Sequence, residues 1–373
     1  MDQAQQAVAE AAAHVLGGHT SGRAASQAGA RIGQDGPATD QADSYDRALW
    51  KELAQAGLLG LAVPGHLGGE GLGVAETAVL LTEAGRAASG VPALATLAMG
   101  VLPVVRWGSR DQQQALLAGV AAGDTLLTAA IREPSEPMPP VPATRLRDGS
   151  GAGTVSGVKV GVPHAAAANW ILVPAGLGSG GPGSTVIAVV EPSASGVTVS
   201  RTPSSAPAAE YTVRLDDAPV AHVLRDDRAV ADLYRVTAAG ACCVADGALA
   251  GALALTTEHV RSRQQFGRPL ATFQAVAQQI ADVAIASRTL HLATVSACWR
   301  LDTGREAGRD TDVAAYWLAA EAPAAMRACH HLHGGTGMDV SYPLHRYSAL
   351  VKDLVSLDGG ADYRLGLLGA GAG

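Results

Sequence analysis

The sequence predicts an α+β protein with several layers, in which a central antiparallel β-sheet or barrel lies between two helical domains. Three observations predict it: helical periodicity before about residue 125, short β-branched runs from there to about 228, and long Ala- and Leu-rich stretches afterwards. A chain of 373 residues also exceeds what one hydrophobic core usually supports. We therefore expect three domains, at 1–125, 126–228 and 229–373, the last similar to a four-helix bundle.

The N-terminal third carries helix and loop signals in alternation. Apolar residues at three- and four-residue steps predict a helix that stops at Gly57, since glycine favours helix C-termini. The Gly- and Pro-rich segment 58–73 predicts a loop. Helical patterns return at 74–88 and 92–108, and we expect the Ser109 hydroxyl to cap a further helix.

The middle of the chain reads as strands, and the remainder reads as long helices. Five β-branched runs separated by Gly, Ser and Pro turns predict the strands, at 154–160, 170–173, 185–190, 196–199 and 211–215. Five prolines within 133–143 predict an irregular connection. Helical patterns at about 229–263, 272–302 and 308–333 exceed the usual length of roughly 10–14 residues, which favours a bundle of long helices.

Composition excludes several classes of function. A net charge of −7 without a basic run argues against a nucleic-acid partner. The first residues lack the basic and apolar regions of a signal peptide, and no unbroken apolar stretch of about 18 residues predicts a membrane span. The thiols of Cys242, Cys243, Cys298 and Cys329 do not resemble a secreted disulfide framework, so we expect a cytoplasmic protein.

Five motifs occur in order along the chain, and together they carry a family resemblance. They are Leu58–Gly73, Ile131–Pro134, Gly157–Trp170, Arg263–Ala275 and His333–Arg346. They resemble, in turn, the Gly-rich N-terminal loop, the flavin-side strand, the following strand pair, the Arg-x-x-Phe-Gly signature and the C-terminal Gly-Gly-x-Gly and Tyr-Pro motifs of the acyl-CoA dehydrogenase family. The resemblance covers nearly the whole chain. It implies the acyl-CoA dehydrogenase fold, an FAD cofactor and a dimer or tetramer, made of one or of two kinds of chain.

The resemblance also assigns residues to the cofactor. The expected FAD-binding residues are Ile131, Arg132, Pro163, Arg263, Phe266, Gly267, Gln274, His333, Gly334, Gly335, Gly337 and Gly360. Arg263 and its neighbours are expected to bind the pyrophosphate of a neighbouring subunit's FAD, because a guanidinium offers two planar donors to a phosphate. The turn after His333 can present backbone amides to a phosphate. The structural alternatives are a solvated basic helix end and a simple helix-terminating loop.

A carboxylate stands where the family places its catalytic base. The resemblance implies that a carboxylate removes the α-proton of an acyl thioester while the β-hydrogen leaves as hydride to flavin N5. In many members the base is a Glu sixteen residues beyond the Tyr of the Tyr-Pro pair, and here that position, counted from Tyr342, is Asp358. A side chain one methylene shorter retracts its oxygens by about 1.5 Å, and such a misplacement can cost around a hundredfold in rate. Alternatively, Asp358 closes a turn before two glycines.

In a second subgroup of the family the catalytic base lies earlier in the chain. The corresponding position here is Thr237, which cannot act as a base. Asp246 lies in the apolar run 236–255 and is our reserve candidate, because a buried carboxylate is costly unless it has a role.

The expected isoalloxazine end of the site departs from the family pattern. Arg132 replaces a Thr, and Gly161 and Pro163 replace the Trp and Thr that flank the flavin ring. Pro163 has no amide to donate, whereas Arg132 can bring a cation to the N1–O2 edge of the flavin. His164 is a possible substitute polar contact.

Three histidines and a cysteine lie close together near the C-terminal glycine motif, which raises the question of a metal site. Adjacent His330 and His331 point to different faces of a helix, and no second ligand pair follows at zinc spacing. We therefore expect no metal.

Three functions remain open. The first is FAD-dependent α,β-dehydrogenation of an acyl thioester, carried by CoA or by a carrier protein, with Asp358 as base and an electron-transferring flavoprotein as electron acceptor. The second is a non-catalytic or half-site subunit of a heteromeric acyl-CoA dehydrogenase, which the departures at Arg132, Gly161 and Pro163 favour. The third is other flavin chemistry on an acyl thioester, because a shorter carboxylate reaches a different proton.

Overall fold

The computed structural model describes residues 1–27, 45–147, 153–178, 185–203 and 208–370. The chain forms two compact units. The first comprises residues 1–11 and the described residues of 36–77 and 90–237. The second comprises the described residues of 12–35, 78–89 and 238–373. The three domain boundaries expected from the sequence stay a prediction.

Helices form the N-terminal part of the chain. They are α1 (Gln3–Gln27), α2 (Arg47–Gln55), α3 (Val74–Arg86), a π-helix (Leu94–Val101), α4 (Leu102–Trp107) and α5 (Arg110–Leu117). The segment after Gly57 contains only two short 3₁₀ turns, Leu58–Gly60 and Gly65–Leu67, as expected of a loop.

The ends of these helices follow from local sequence. The Asp46 side chain caps α2 by accepting a hydrogen bond from the Leu49 amide at 3.0 Å. Gly57 follows α2 with φ +75°, the left-handed conformation that glycine adopts at low cost. Ser109 caps α5 in a reciprocal capping box with Gln112, which confirms the expected cap.

The described residues in the central part of the chain form an eight-stranded sheet. Its strands are β1 (Leu127–Ala129), β2 (Arg145–Arg147), β3 (Thr154–Pro163), β4 (Trp170–Leu177), β5 (Thr185–Val190), β6 (Val197–Thr202), β7 (Glu210–Pro219) and β8 (His222–Leu224). The strand order is β6-β7-β3-β2-β4-β5-β8, with β1 beside β4. Most pairs are antiparallel, as expected, but β1 and β2 both pair with β4 in parallel. The apolar run of β5 is buried along its whole length, and the polar residues of β6 stay at least partly exposed.

Long helices follow the sheet. They are α6 (Ala229–Ser262), α7 (Gln274–Asp302), α8 (Gly308–His333), α9 (Leu344–Leu357) and α10 (Ala361–Ala370). Two very short strands, β9 (Gln264–Gln265) and β10 (Arg268–Pro269), form a hairpin between α6 and α7. Buried residues of α7 recur at three- and four-residue steps, as in Val283, Ser287, Leu290 and Thr294, because one face of the helix packs on its neighbours.

Helices α3 and α6 approach each other closely in the second unit. A Cβ on Gly247 would lie 1.8 Å from the Thr82 carbonyl oxygen, and a Cβ on Gly85 would lie 2.0 Å from the Val244 carbonyl oxygen. These distances are far below van der Waals contact. The crossing therefore requires glycine at both positions.

By length and composition alone, one described helix, α6, is long and apolar enough to cross a membrane. The most apolar window of α6 is 78% buried inside the protein, which is also typical of a core helix. The expected absence of a membrane span stays a prediction.

Candidate functional site

A buried ion pair fixes the segment that carries Ile131 and Arg132. The Lys159 ammonium lies 2.8 Å from the Glu133 carboxylate, and both side chains are almost fully buried. The same carboxylate accepts hydrogen bonds from the Ala143 and Thr144 amides and from the Thr144 hydroxyl, at 2.7 to 2.9 Å. Burial lowers the pKa of Lys159 to about 8, although Glu133 opposes that shift. Glu133 and Lys159 both lie in motifs recognised in the sequence, but their pairing could not be predicted because it depends on contacts between distant segments.

Arg132 lies over Gly161, where the family carries a large side chain. A Cβ built on Gly161 would meet the Arg132 guanidinium at 2.8 Å and the Glu210 carboxylate at 3.6 Å. Gly161 also has φ +59°, a conformation that disfavours other residues. Burial raises the pKa of Glu210, and the charge of Arg132 opposes the shift. Glu210 was absent from our candidates because nothing in the sequence links it to position 132.

Pro163 ends β3 opposite Glu210, and His164 is the residue that follows. The Pro163 carbonyl accepts a hydrogen bond from the Thr128 hydroxyl at 2.7 Å. His164 adopts φ +54° and is 8% exposed, and its burial lowers the pKa of the imidazole to about 4. This histidine is therefore neutral at physiological pH. Its ring meets Tyr45 edge-on, with centroids 6.3 Å apart.

In the second unit, the Arg263 motif forms the hairpin of β9 and β10. Phe266 and Gly267 occupy its two-residue turn with φ of +54° and +78°, the signs that a type I′ turn requires. Phe266 is 91% exposed. The Arg268 guanidinium lies 4.2 Å from the centroid of the Phe273 ring, a cation–π contact that braces the hairpin against the start of α7. Gln274, the first residue of α7, is exposed.

The glycine motif forms a 3₁₀ turn, Gly334–Met338, directly after α8. Gly334 has φ +56° and ψ −136°, a conformation that is essentially restricted to glycine. A Cβ on Gly334 or Gly335 would meet nothing within 4 Å, and both glycines are exposed, although the Gly334 amide already donates to the His330 and His331 carbonyls. A Cβ on Gly337 would lie 3.3 Å from His330 Nδ1, a buried atom without a hydrogen-bond partner among the described residues.

A histidine stack joins this turn to the end of α6. The rings of His333 and His259 are stacked with centroids 4.4 Å apart. The Arg263 amide donates to the His259 carbonyl at 2.8 Å, so Arg263 lies one helical turn beyond the histidine that stacks on His333. His333 bonds through Nδ1 to the Cys329 carbonyl at 2.8 Å and through Nε2 to the Tyr342 hydroxyl at 3.0 Å. Because a carbonyl only accepts, Nδ1 carries the proton. Burial lowers the pKa of His333.

These groups fit the pyrophosphate end of FAD. An exposed glycine turn and the exposed Arg263 side chain can offer hydrogen-bond donors to a pyrophosphate. The unpaired His330 Nδ1 beside Gly337 is a further polar atom at the same turn. Arg263 and the glycines at 334, 335 and 337 are the residues of this chain that would hold the group.

Asp358 lies at the end of α9 and is fully buried. Its Oδ1 accepts a hydrogen bond from Arg364 at 3.1 Å, and Arg364 also pairs with Asp312 at 2.8 Å. Its Oδ2 has no partner among the described residues. Burial raises the pKa of Asp358 to about 6, although Arg364 opposes the shift. Gly359 and Gly360 follow with φ of +84° and +83°, so Asp358 stands at the helix end directly before a turn of two glycines.

The structure does not bring Asp358 close to the glycine turn of its own chain. Its ion-pair network reaches Asp312, in the second turn of α8, whereas His333 ends the same helix. At 1.5 Å per residue, about 30 Å separates these two positions.

Asp246 makes a hydrogen bond that the sequence could not indicate. Its carboxylate lies 2.8 Å from His291 Nδ1 on α7. This bond raises the pKa of His291, and burial opposes the shift. Asp246 is 5% exposed, so a partner explains how a carboxylate is tolerated among apolar residues.

Among the described residues, no group of three His, Cys, Asp or Glu side chains is placed to hold a metal ion. Cys329 is buried, and His330 Nε2 bonds to the Ser348 hydroxyl at 2.6 Å.

Comparison with known proteins identifies the family. Residues 25–124 match the model of the acyl-CoA dehydrogenase N-terminal domain, and residues 232–371 match that of the C-terminal domain. The chain is 46% identical to the acyl-CoA dehydrogenase FadE28 of Mycobacterium tuberculosis over 322 residues, which are 86% of this chain and 91% of that protein.

Solved structures share the fold over nearly the whole chain. A structure of the Tcur3481-Tcur3483 steroid ACAD has 31% identity and a TM-score of 0.88, covering 98% of this chain and 96% of that one. The ChsE4-ChsE5 complex of Mycobacterium tuberculosis has 26% identity and a TM-score of 0.88, covering 99% and 97%. The expected fold is therefore confirmed. The chain belongs to the acyl-CoA dehydrogenase family, whose members are FAD-dependent oxidoreductases acting on CH–CH groups.

Proposed function

We propose that this chain is one subunit of a heteromeric acyl-CoA dehydrogenase that introduces an α,β double bond into an acyl-CoA thioester. A second family chain completes the assembly and supplies the carboxylate that removes the α-proton. Family membership supports the reaction class. The burial of Asp358 and its pairing with Arg364 are the observation that supports assigning the catalytic carboxylate to the second chain.

Asp358 is poorly placed to accept a proton from a substrate. Its side chain is fully enclosed, and one oxygen is already paired with Arg364. Drawing Asp358 out would leave Arg364, which is 3% exposed, with one fewer counter-charge in a buried site. Removing one member of a buried ion pair costs about 3 to 5 kcal/mol. We therefore assign Asp358 to the helix terminus and not to the reaction.

The relatives support an assembly of two kinds of chain. Both solved structures described above carry two chain names, Tcur3481-Tcur3483 and ChsE4-ChsE5, and the second is described as a complex. The expectation of a heteromer rested on Arg132, Gly161 and Pro163, and the structure adds the buried Asp358.

Within such an assembly this chain's residues bind and orient the cofactor. Arg263 and the exposed turn after His333 hold the pyrophosphate of a neighbouring subunit's FAD, and Phe266, Gly267 and Gln274 lie in or beside the hairpin that follows Arg263. Gly360 belongs to the turn after Asp358, which lies apart from these residues. Ile131, Arg132 and Pro163 border the flavin ring. FAD, when bound, supplies the acceptor for the hydride that leaves the β-carbon, and the electrons pass to an electron-transferring flavoprotein.

The proposed substrate class is an acyl-CoA that carries a steroid or similar polycyclic group. The support is the 31% identity, over nearly the full length, to a protein described as a steroid ACAD. The test compares CoA thioesters of steroid and straight-chain acids, with matched carrier-protein thioesters, as anaerobic reductants of the bound flavin. Faster bleaching by a straight-chain or carrier-bound acyl group would contradict this assignment.

The assembly is tested by producing the chain alone and together with a second family chain from the same genome. We expect a stable two-chain complex that binds FAD and oxidises the thioester, and little flavin or activity in the single chain. Light scattering after gel filtration gives the stoichiometry, and absorbance gives the FAD content. A single chain with full FAD content and full activity would refute the proposal.

The rival function keeps Asp358 as the base. One observation favours it: burial raises the pKa of Asp358 to about 6, which is the direction a general base requires near neutral pH. The isosteric substitution Asp358→Asn separates the two. If Asp358 is the base, kcat falls by about 10²- to 10⁴-fold, whereas our proposal expects kcat within a few-fold of the parent and a changed melting temperature. Asp362→Asn, an exposed carboxylate four residues along, is the matched control.

A further inference from the structure

We propose that Arg132 and Glu210 form a charge couple that sets the reduction potential of the bound flavin. Arg132 supplies positive charge that favours the reduced ring, and the nearby carboxylate of Glu210 offsets part of that charge. The inference rests on the proposed flavin site, because that proposal places position 132 beside the ring.

The geometry of Gly161 carries the inference. The Arg132 guanidinium occupies the volume that a Cβ at 161 would need, with Nη1 2.8 Å and Cζ 3.5 Å from that point. Glu210 Oε2 is 3.6 Å from the same point, so both charged groups lie close to the Cα atom of Gly161. At the place where the family carries Trp, this chain carries a guanidinium and a carboxylate.

The scaffold around Arg132 is rigid. Its carbonyl accepts a hydrogen bond from the Val160 amide at 3.0 Å. The preceding Ile131 is 2% exposed, and the following Glu133 is held by Lys159 at 2.8 Å. The backbone from which the Arg132 side chain starts is therefore fixed relative to the sheet.

Glu210 is the first residue of β7 and lies opposite Pro163 in the β3–β7 pairing. Burial raises the pKa of Glu210, and the nearby positive charge of Arg132 opposes the shift. In a partly buried site such an interaction is stronger than in water.

The electrostatic consequence concerns the flavin ring. Hydride transfer adds two electrons and one proton to the ring, which leaves it with a net negative charge unless a second proton follows. A nearby cation stabilises that charge and a nearby carboxylate destabilises it. Arg132 therefore raises the affinity of the flavin for electrons, and Glu210 limits the increase. Pro163 cannot donate a backbone hydrogen bond to the reduced ring, because proline has no N–H group.

The test uses the FAD-containing assembly and four substitutions. Arg132→Ala removes the cation, Arg132→Lys keeps it, Glu210→Gln keeps a hydrogen-bond acceptor without the charge, and Gly161→Ala displaces the guanidinium. Arg147→Ala is the matched control, because Arg147 is a cation of the same sheet whose side chain is 72% exposed. The readouts are the FAD-to-protein ratio, the flavin midpoint potential and the dissociation constant of sulfite, which binds best to a flavin that tolerates negative charge.

We expect Arg132→Ala to weaken sulfite binding on the order of tenfold and to make the potential more negative. Gly161→Ala should change both quantities in the same direction, Arg132→Lys should change them less, and Glu210→Gln should change them in the opposite direction. Arg147→Ala should leave them unchanged. If Arg132→Ala retains FAD with an unchanged potential and sulfite affinity, the inference is wrong and the proposed function stands. If the parent assembly never binds FAD, the proposed function fails first and the inference fails with it.

Discussion

Gly247 of α6 lies directly against Thr82 of α3, since a Cβ at 247 would be 1.8 Å from the Thr82 carbonyl oxygen. Substitution to alanine therefore forces two helix backbones apart within the second unit. We expect Gly247→Ala to lower the free energy of unfolding by about 3 kcal/mol or more, at the upper end of overpacking effects. Urea denaturation measures the change.

Gly366 provides the matched control for this helix crossing. It lies within α10, and a Cβ there would meet nothing within 4 Å. Gly366→Ala should be neutral or stabilising by up to about 1 kcal/mol, because alanine favours the helix. Equal effects of the two substitutions would show that the α3–α6 contact is looser than described.

The buried pair of Glu133 and Lys159 gives the second prediction. Lys159→Met should lower the free energy of unfolding by about 3 to 5 kcal/mol, because it leaves a carboxylate buried without its cation. The double substitution Glu133→Gln with Lys159→Met should recover part of that loss. Lys51→Met, which breaks an exposed pair with Asp124, should cost no more than about 1 kcal/mol. A double-mutant cycle without coupling between 133 and 159 would contradict the prediction.

Asp358 makes stability depend on pH. Its pKa in the folded protein is about 6 against 3.8 for an unperturbed carboxyl, so folding favours the protonated form. The stabilisation is complete below about pH 4 and is lost as pH rises through about 6. The shift corresponds to about 3 kcal/mol.

The measurement for Asp358 is a comparison of parent and Asp358→Asn by denaturant unfolding between pH 4 and pH 7. The variant lacks this titration, so its stability relative to the parent should rise across that interval. A difference that stays constant with pH would show that the carboxyl titrates normally.

The hairpin turn at Phe266 and Gly267 gives the fourth prediction. Both residues have positive φ, and a β-branched residue is strained in that conformation. We expect Gly267→Val to distort the hairpin and to weaken FAD binding by the assembly at least tenfold, with little change in the melting temperature because the turn is exposed. Phe266→Asn, which tolerates positive φ, should keep the hairpin. FAD fluorescence titration measures the affinity of the two variants for FAD. Equal affinities would show that the conformation of the hairpin turn does not matter for FAD binding.

Much of the fold could be predicted because long periodic segments carry strong local signals. The pattern at about 229–263 corresponds to a helix at Ala229–Ser262, and the run 185–190 corresponds to β5 with the same bounds. The π-helix at Leu94–Val101 was missed, since its apolar sequence has the same appearance as an α-helix. The parallel pairing of β1 with β4 was missed because register depends on contacts between distant segments.

The site was less predictable than the fold, because it also depends on contacts between segments that are distant in the sequence. The sequence placed a carboxylate at 358, but its burial depends on Arg364 and Asp312, whose positions come from packing. The hydrogen bond between Asp246 and His291 could not be predicted, because the two residues lie 45 positions apart in the sequence. Turns depend mainly on neighbouring residues in the sequence, so the glycines at 57, 267 and 334 could be recognised without tertiary information. Which of the expected residues bind FAD stays a prediction.

The space over Gly161 couples two positions that are far apart in the sequence. Any side chain at 161 competes with the Arg132 guanidinium for one volume. Because the guanidinium is the far end of a flexible side chain, it can move aside, but it then leaves its place near Glu210. A substitution at 161 therefore acts on this protein as a substitution at 132 does, by changing where the charge of Arg132 lies.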